Sequence, residues 1–327
     1  MTRRDLLRGA MAGLASVPVL RRGKAAGLRK IKVATTPLPE SCGLYVALER
    51  GYFRDSGLDV ELVTVPGTIQ VNTAMISGQV EVMMGGLAPM ILNAVAQGSG
   101  VRIVAPRQLV SAKCGNVGTL FALKKKFPGG LKDMTVLKGK SIGVGSVVGF
   151  TEFAVDMQLE NAGLADHAAE YVHLPVGQGA AALLNGRVDA LAVLPETARA
   201  LMEKPDEIVM SPPLASICPG FQYSFVYFGS VLLKDDRDAG GRFLSAFMHG
   251  SRDYHAGSNP QFLRDFAARS GHDPKEYLSS CRDDVSVETH VDRANLQRFA
   301  QWAVRRRYAQ RLVDVSELVD EGFAAKA

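Results

Sequence analysis

The chain alternates β-strand and α-helix patterns, and the alternation runs twice. In the first pass, apolar runs rich in β-branched residues predict strands at 31–36, 58–65, 80–84 and 101–105. Apolar residues at helical spacing predict helices at 41–50, 68–77 and 89–97. The second pass predicts strands at 140–145, 171–174 and 188–194, with helices at 150–161, 179–185 and 196–202. Such alternation predicts mostly parallel sheets covered by helices on both faces.

The two passes share a short phrase. "MISGQVE" at 75–81 matches "LLNGRVD" at 183–189, and a proline follows shortly after each strand, Pro89 and Pro195. A chain of 327 residues, 47% of them hydrophobic, can fill two cores of ordinary size. We therefore predict an α/β protein with two similar lobes, each a mostly parallel sheet flanked by helices, in preference to one large sheet.

The pattern changes after Tyr223. A strand is predicted at 224–233, and helices follow at 238–255, 260–269, 275–281 and 292–307. These helices need a sheet to cover, and we expect the first lobe to supply it. The chain then crosses between the lobes near 107–120 and near 222–233, which predicts a two-strand hinge beside a cleft. The predicted first lobe comprises 29–112 with 234–327, and the second comprises 113–233.

Residues 1–26 have the order of an export signal of the twin-arginine type. Arg3 and Arg4 precede a small-residue apolar stretch at 9–20, which is shorter than the ~20 residues that a membrane span needs. A basic stretch and a cleavage site near Ala25 follow. The alternative is a basic N-terminal helix of a cytosolic protein. Removal of the leader to Ala25 leaves 32 basic and 32 acidic residues, so we expect an exported, periplasmic protein that does not bind nucleic acid.

Cysteine and histidine spacings match no metal site, and we expect no metal and no cofactor. One pair among Cys42, Cys114, Cys218 and Cys281 could form a disulfide outside the cytoplasm, although isolated buried thiols are the favoured interpretation. The glycines at 143–149 resemble a dinucleotide fingerprint, but the next strand ends in Pro175 instead of an acid. The sequence contains no recognisable catalytic constellation, so we predict a protein that is not an enzyme.

Ligands of open parallel sheets bind beyond the carboxyl ends of the strands. Several loops there lead into helix N-termini, which favour anionic or strongly polar groups by about 0.3–1 kcal/mol each. Helix capping is the simpler role for residues such as Ser41 and Thr68. The candidate ligand-binding residues are Thr36, Pro37, Glu40, Ser41, Cys42, Gly67, Thr68, Gly86, Leu87, Ser146, Val147, Phe150, Pro195, Glu196 and Tyr223.

The charge of the ligand is left open by these residues. Arg107 and Lys113 are candidates for balancing an anion, although both could be surface residues at the crossing. Glu40 would repel an anion, whereas the helix N-termini nearby would attract one.

Three stretches resemble a known family of solute-binding proteins. They are "GLYVALERGYFRDSGLDVELV" at 43–63, "ISGQVEVMMGG" at 76–86 and "NGRVDALAVLPE" at 185–196. They are similar to the binding proteins of ABC importers, in the branch for nitrate, sulfonate, taurine and thiamine-pyrimidine precursors. The resemblance covers about residues 30–233 and implies a periplasmic-binding-protein fold of type II that closes on its ligand.

The resemblance also implies a role and its rivals. We expect a monomeric binding protein that delivers a small organic solute, such as a sulfonate or carboxylate, to a membrane permease and its ATPase. The first loop lacks the Asn and His residues of the pyrimidine-precursor binders, and the cysteine cluster of the related pyrimidine-synthesising enzymes is missing. The alternatives are an enzyme on the same fold, of a dehydratase or cofactor-biosynthesis type, and a solute-sensing subunit of a membrane receptor.

Overall fold

The structure is a computed structural model. It describes residues 27–36, 39–65, 67–114, 117–145, 148–165, 167–175, 177–192, 201–270, 273–278 and 281–326. The predicted export signal at 1–26 lies outside the described residues. No helix in the described part of the chain is long and apolar enough to cross a membrane.

The first sheet has five strands in the order β2-β1-β3-β10-β4. Its strands are β1 (Arg29–Thr35), β2 (Leu58–Thr64), β3 (Val82–Gly86), β4 (Arg102–Leu109) and β10 (Gln222–Phe228). β1 pairs in parallel with β2 and with β3, whereas β10 runs antiparallel between β3 and β4. The sheet is therefore mostly parallel, as predicted, with one strand reversed.

The second sheet repeats this plan in the order β7-β6-β8-β5-β9. Its strands are β5 (Leu120–Leu123), β6 (Ser141–Val144), β7 (Glu170–His173), β8 (Ala190–Ala192) and β9 (Ile208–Met210). β6 is parallel to β7 and β8, and β5 is antiparallel to β8 and β9. In each sheet the reversed strand is the first one after a chain crossing. The two sheets confirm the predicted α/β class.

The second chain crossing comes earlier than predicted. The strand expected at 224–233 is observed at Gln222–Phe228 and belongs to the first sheet. The chain therefore crosses at 211–221, between β9 and β10, and not at 222–233. The predicted second lobe included 222–233, but this segment lies in the first lobe. The first crossing, at 110–119, lies within the predicted range.

Eleven α-helices are described, numbered here in chain order. Those before the last crossing are α1 (Cys42–Glu49), α2 (Tyr52–Asp55), α3 (Thr68–Ile76), α4 (Pro89–Ala96), α5 (Phe150–Asn161) and α6 (Gly179–Leu184). Those after it are α7 (Arg237–His255), α8 (Gln261–Ser270), α9 (Pro274–Leu278), α10 (Arg293–Arg305) and α11 (Val315–Leu318). Three of the later helices begin at an aspartate whose side chain accepts a backbone N–H, at Asp236, Asp292 and Asp314. Such caps satisfy donors that have no partner inside the helix.

The first sheet is covered on both faces. On one face, Ile31 and Val33 pack with Leu44 of α1 and with Phe243 and Phe247 of α7. On the other face the core contains α3, α4, α10 and the aromatic side chains of β10. The C-terminal helices cover the first lobe. However, α10 also packs against α5 of the second lobe, where Phe153 lies 5.4 Å from Phe299 and 5.3 Å from Trp302 between ring centroids.

A disulfide joins Cys114, just after β4, to Cys281. The favoured prediction of isolated thiols is therefore wrong for this pair and correct for the other two cysteines, Cys42 and Cys218, which are free. Sequence spacing could not select the pair because its members are 167 residues apart. The disulfide fastens the chain beyond α9 to the first crossing.

Helices α1 and α7 cross so closely that only glycine fits at the contact. A Cβ added at Gly250 would meet the carbonyl oxygen of Gly43 and lie 2.6 Å from Cβ of Ala47. A Cβ at Gly43 would lie 2.6 Å from Oγ of Ser251. Because both obstacles include helix backbone, the contact cannot be relieved by a side-chain rotation alone. The first lobe thus depends on these two glycines for the packing of α1, the helix behind the first candidate loop.

We predict that Gly250→Ala lowers the free energy of unfolding by about 1–3 kcal/mol, since overpacking forces the helices apart. Urea denaturation followed by circular dichroism measures the change. Gly129→Ala is the matched control, because nothing lies within 4 Å of its added Cβ. Equal stability of the two variants would show that the helices separate at no cost and would contradict this account.

Candidate functional site

The carboxyl ends of β1, β2 and β3 lie at one edge of the first sheet, and the amino end of β10 joins them because β10 is reversed. The second lobe meets this edge through α5. Phe150, the first residue of α5, stacks on Tyr223 at the start of β10, with 4.4 Å between ring centroids. Both side chains are buried. The two predicted residues therefore form a contact between the lobes beside the strand ends.

The loop after β1 is held by hydrogen bonds within itself. Oγ of Ser41 lies 2.9 Å from Oγ1 of Thr35 and donates to the carbonyl oxygen of Thr36 at 3.1 Å. Oγ1 of Thr36 donates to Oε1 of Glu40 at 3.3 Å. Ser41 is fully buried, whereas Thr36 and Glu40 keep part of their surface exposed. Ser41 therefore supports the loop, and Thr36 and Glu40 are the members that a ligand could reach.

Arg107 of β4 lies beneath this loop with only 4% of its surface exposed. Its Nε donates to Oγ of Ser224 on β10 at 2.9 Å. The outer nitrogens make longer contacts. Nη1 lies 3.4 Å from Oγ of Ser41 and from the carbonyl oxygen of Glu40, and Nη2 lies 3.5 Å from Oε1 of Glu40. The candidate cation is thus a buried partner of Glu40, and it links the β1 loop to β10.

Asp284 adds a second carboxylate to this cluster. It lies in a segment that pairs with β4, because N–H of Leu109 donates to the carbonyl oxygen of Asp284 at 2.9 Å and N–H of Ser286 donates to that of Arg107 at 2.9 Å. Val285 forms an isolated bridge with Gln108. The disulfide at Cys281 fixes the start of the segment. Sequence analysis did not identify Asp284, since no periodicity links it to β4.

Burial raises the pKa of Asp284 to about 6, and the negative charges of Glu40 and Asp283 act in the same direction. Its own backbone amide and Arg107 oppose the shift without cancelling it. Perturbed carboxylates of this kind concentrate at functional sites, although structural networks produce them as well. Glu40, Arg107 and Asp284 together are called the charged cluster below.

The other predicted residues do not all lie at the surface of the site. Gly86 accepts a hydrogen bond from the hydroxyl of Tyr227 at 3.3 Å, and Leu87 is a core residue whose N–H donates to the carbonyl oxygen of Tyr223 at 2.9 Å. Gly67 and Thr68 begin α3 and are partly exposed. Five predicted residues lie outside the described residues, namely Pro37, Ser146, Val147, Pro195 and Glu196.

Two candidates do not join the site. Cys42 is fully buried in a core cluster with Val46, Tyr254 and Leu263, and desolvation raises the pKa of its thiol to about 12. It is a packing residue of α1. Lys113 is exposed and pairs with Asp283 at 3.0 Å. Its charge is therefore already balanced at the surface, and Arg107 is the candidate cation that the structure places near the strand ends.

A mostly apolar groove of about 560 Å³ also opens between the lobes. It is lined by α3 and α4, including Ile69 and Met90, by Tyr308 after α10, and by Val148 of the second lobe. Its lining contains no charged side chain. No group of histidine, cysteine, aspartate and glutamate among the described residues could hold a metal ion.

A buried polar network joins the lobes next to this groove. Nε1 of Trp302 donates to Oδ2 of Asp156 at 2.7 Å, and Nη2 of Arg306 lies 3.2 Å from Oε1 of Glu152. The hydroxyl of Tyr308 donates to the same carboxylate. Glu152 and Asp156 belong to α5, whereas the donors belong to α10 and the turn after it. Trp302 is therefore both a core residue and an interlobe hydrogen-bond donor.

We predict that Asp284→Asn stabilises the unliganded protein at neutral pH. The folded pKa of about 6 lies above the unfolded value of about 3.9, so ionisation favours unfolding. The wild type therefore loses stability as pH rises from about 4 to 6, and the loss amounts to about 2–3 kcal/mol above that range. Urea denaturation at several pH values should show the gain for Asn at pH 7 and none at pH 4.

Asp283→Asn is the control for this prediction, because it removes a neighbouring carboxylate that pairs with Lys113 at the surface. It should give a smaller gain or a small loss at pH 7. A pH-independent difference between Asp284→Asn and the wild type would contradict the assigned shift.

The family described as NMT1/THI5-like matches residues 38–261, which is more than half of the chain. A protein of Haemophilus influenzae named for thiamine biosynthesis is 28% identical over 153 residues, covering 47% of this chain and 45% of that protein. The chain thus spans less than half the length of this curated relative.

Solved structures share the fold over most of the chain. The ligand binding component of an ABC-type import system from Staphylococcus aureus, determined with zinc bound, has a TM-score of 0.72 at 14% identity, covering 91% of this chain and 99% of that one. The periplasmic aliphatic sulphonate binding protein SsuA from Escherichia coli has a TM-score of 0.71 at 16% identity, covering 91% and 99%. A desulfurization enzyme, DszB, has a TM-score of 0.61 at 16% identity, covering 91% and 98%.

These identities are too low to carry a ligand from one protein to another, and they establish the architecture only. The family match rests on the sequence itself and covers the β1 loop, the first crossing and the second lobe. The chain belongs to the NMT1/THI5-like family and has the two-lobed fold of the substrate-binding proteins of ABC importers.

Proposed function

We propose that the protein is the periplasmic substrate-binding component of an ABC importer. It binds a small organic solute between its lobes and delivers the solute to a membrane permease driven by an ATPase. The observation that supports this role is the charged cluster, which lies at the strand ends where α5 of the second lobe meets β10 of the first. It acts as a monomer, since one chain supplies both lobes.

The solute is proposed to carry a carboxylate, a sulfonate or a similar group. Helices α3, α4 and α5 begin at or near the interlobe edge, and their free N–H groups favour such a group. The positive charge of Arg107 also favours an anionic group on the solute, although Glu40 already contacts Arg107. Micromolar affinity corresponds to about 8 kcal/mol, which a few hydrogen bonds and closure of the lobes can supply.

Binding without turnover distinguishes this role from its main rival, an enzyme on the same fold. The rival has support in the desulfurization enzyme that shares the architecture. The charged cluster contains carboxylates and a guanidinium but no nucleophile beside a base, which favours binding. Recovery of a solute unchanged after prolonged incubation supports the importer role, and conversion of the solute supports the enzyme.

We predict that a cognate solute raises the melting temperature and changes the emission of Trp302. This residue is the single tryptophan of the chain and lies at the contact of α10 with α5. Because the indole is already fully buried, movement of α5 on closure should act on its hydrogen bond to Asp156, and we expect a change in emission. Fluorescence titration with carboxylates, sulfonates and pyrimidines, beside thermal melts of the same mixtures, checks the prediction.

Two outcomes of this titration would count against the proposal. If no small molecule stabilises the protein, the binding role is wrong. If calorimetry shows that a solute binds but the emission of Trp302 does not change, the α5–α10 contact does not move and the lobes do not close there. Trp302→Phe is the control for the signal, because it keeps an aromatic ring and removes the indole that is observed.

We propose that the leader directs export by the twin-arginine route. The pair Arg3 and Arg4 precedes the apolar stretch in the order that this route requires. The double substitution Arg3→Lys and Arg4→Lys should keep the precursor in the cytoplasm, as measured by fractionation of cells and blotting. The substitution Arg21→Lys and Arg22→Lys lies after the apolar stretch and should leave export unchanged. Export of both variants would exclude the route.

A further inference from the structure

We infer that the disulfide between Cys114 and Cys281 limits how freely the two lobes turn against each other, so that its redox state controls the range of their opening. The inference goes beyond the proposed function and rests on it in one respect, since a binding protein has to open and close. The observations that support it are the positions at which the two chain crossings are anchored.

The two crossings are paired with each other at both ends. At the first lobe, N–H of Val110 donates to the carbonyl oxygen of Phe221 at 2.8 Å, and N–H of Gly220 donates to that of Val110 at 2.7 Å. At the second lobe, N–H of Ser211 donates to the carbonyl oxygen of Leu120 at 2.9 Å, and N–H of Leu120 donates to Oγ of Ser211 at 3.0 Å. Any turning between the lobes therefore falls on the stretches between these pairs.

The two stretches differ in stiffness. The second crossing, at 212–219, contains three prolines, whose rings fix the backbone angle φ. The first crossing, at 111–119, contains no proline. The second crossing is thus the stiffer pivot, and the freedom of the first depends on where it is anchored.

The far end of the first crossing is anchored to the second lobe. Val117, Gly118 and Thr119 are buried. The carbonyl oxygen of Gly118 accepts a hydrogen bond from Nε2 of Gln158 on α5 at 2.6 Å, and a Cβ added to Gly118 would lie 2.8 Å from Cβ of Leu214. This end of the crossing consequently moves with the second lobe.

The disulfide adds an anchor at the near end, where other contacts are weak. Ala112 and Lys113 are exposed, and the ion pair of Lys113 with Asp283 at 3.0 Å lies at the surface, where such pairs contribute little. Without the disulfide, the crossing is fixed to the first lobe at Val110, whereas the disulfide moves this anchor forward to Cys114. Each residue that is released adds up to about 3.3–3.6 Å of reach.

The chain around Cys281 has its own anchors in the first lobe. Nη1 of Arg282 donates to the carbonyl oxygens of Tyr254 at 2.6 Å and Ser258 at 3.1 Å, and the chain just beyond pairs with β4. These contacts do not depend on the disulfide. Breaking the bond therefore releases the first crossing and leaves this segment in place.

A dithiol can reach this disulfide, because Cys281 is exposed. Exchange breaks the S–S bond, passes two electrons and two protons to the cysteines and leaves the dithiol as a disulfide. If the chain is exported as proposed, its thiols are reduced in the cytoplasm and pair in the oxidising compartment outside it. The lobes then turn more freely before export than after it.

Small-angle X-ray scattering and hydrogen exchange of the solute-free protein test the inference, with and without dithiothreitol. On reduction we expect the radius of gyration to increase, because the lobes sample a wider range of orientations. The amides of Val110 and Gly220 should exchange at least about tenfold faster, which corresponds to about 1.4 kcal/mol of easier local opening. The amides inside the two sheets should keep their protection. The double substitution Cys114→Ser and Cys281→Ser should match the reduced wild type and should not respond to dithiothreitol.

Cys218→Ser is the matched control, because it removes a free thiol of the second crossing and keeps the disulfide. It should respond to dithiothreitol as the wild type does. The inference is overturned if reduction leaves the radius of gyration unchanged, or if exchange becomes faster throughout both sheets, which would indicate a disulfide that only stabilises the fold. Because no solute is present, either result leaves the proposed function intact. A failure of every solute to bind would remove the importer role and leave the result for the crossing unaffected.

Discussion

The reversed strand β10 determines where a ligand site can lie in this protein. It returns from the second lobe and inserts antiparallel between β3 and β4. Its amino end therefore lies at the carboxyl edge of the parallel strands and brings Tyr223 and Ser224 to that edge. Ser224 accepts from Arg107, and Tyr223 stacks on Phe150 of the other lobe. Without this reversal, the hinge would arrive at the opposite edge of the sheet.

Much of the architecture could be predicted from the sequence because helices and strands that bury one face place their apolar residues at regular intervals along the chain. The helix predicted at 150–161 is observed at Phe150–Asn161, and the strand predicted at 58–65 is observed at Leu58–Thr64. β5 and β9 were not predicted. They have four and three residues. They also follow or precede crossings, where the chain changes its surroundings within a few residues.

The site was predictable only where it depends on strand ends. Thr36, Glu40 and Ser41 could be selected because they follow β1, and the structure places them together near Arg107. Asp284 could not be selected, since it reaches β4 through a pairing across most of the chain. The contact of Trp302 with Asp156 has the same origin. Long-range pairings are determined by tertiary packing, and no local pattern in the sequence encodes them.

The interlobe network and the charged cluster differ in the hydrogen-bond partners of their carboxylates. Around Glu152 and Asp156, buried carboxylates receive hydrogen bonds from Trp302, Tyr308 and Arg306, so each carboxylate has a partner across the contact between the lobes. Removal of one partner from such a network leaves an uncompensated charge, which is why it favours the joined state.

Around Asp284, burial raises the pKa of the carboxyl group to about 6, so ionisation of this group opposes folding. The disulfide and two backbone hydrogen bonds hold the segment that contains Asp284 against β4. The two clusters therefore lie at different places, since one joins α5 to the α10 segment and the other lies at the strand ends of the first lobe.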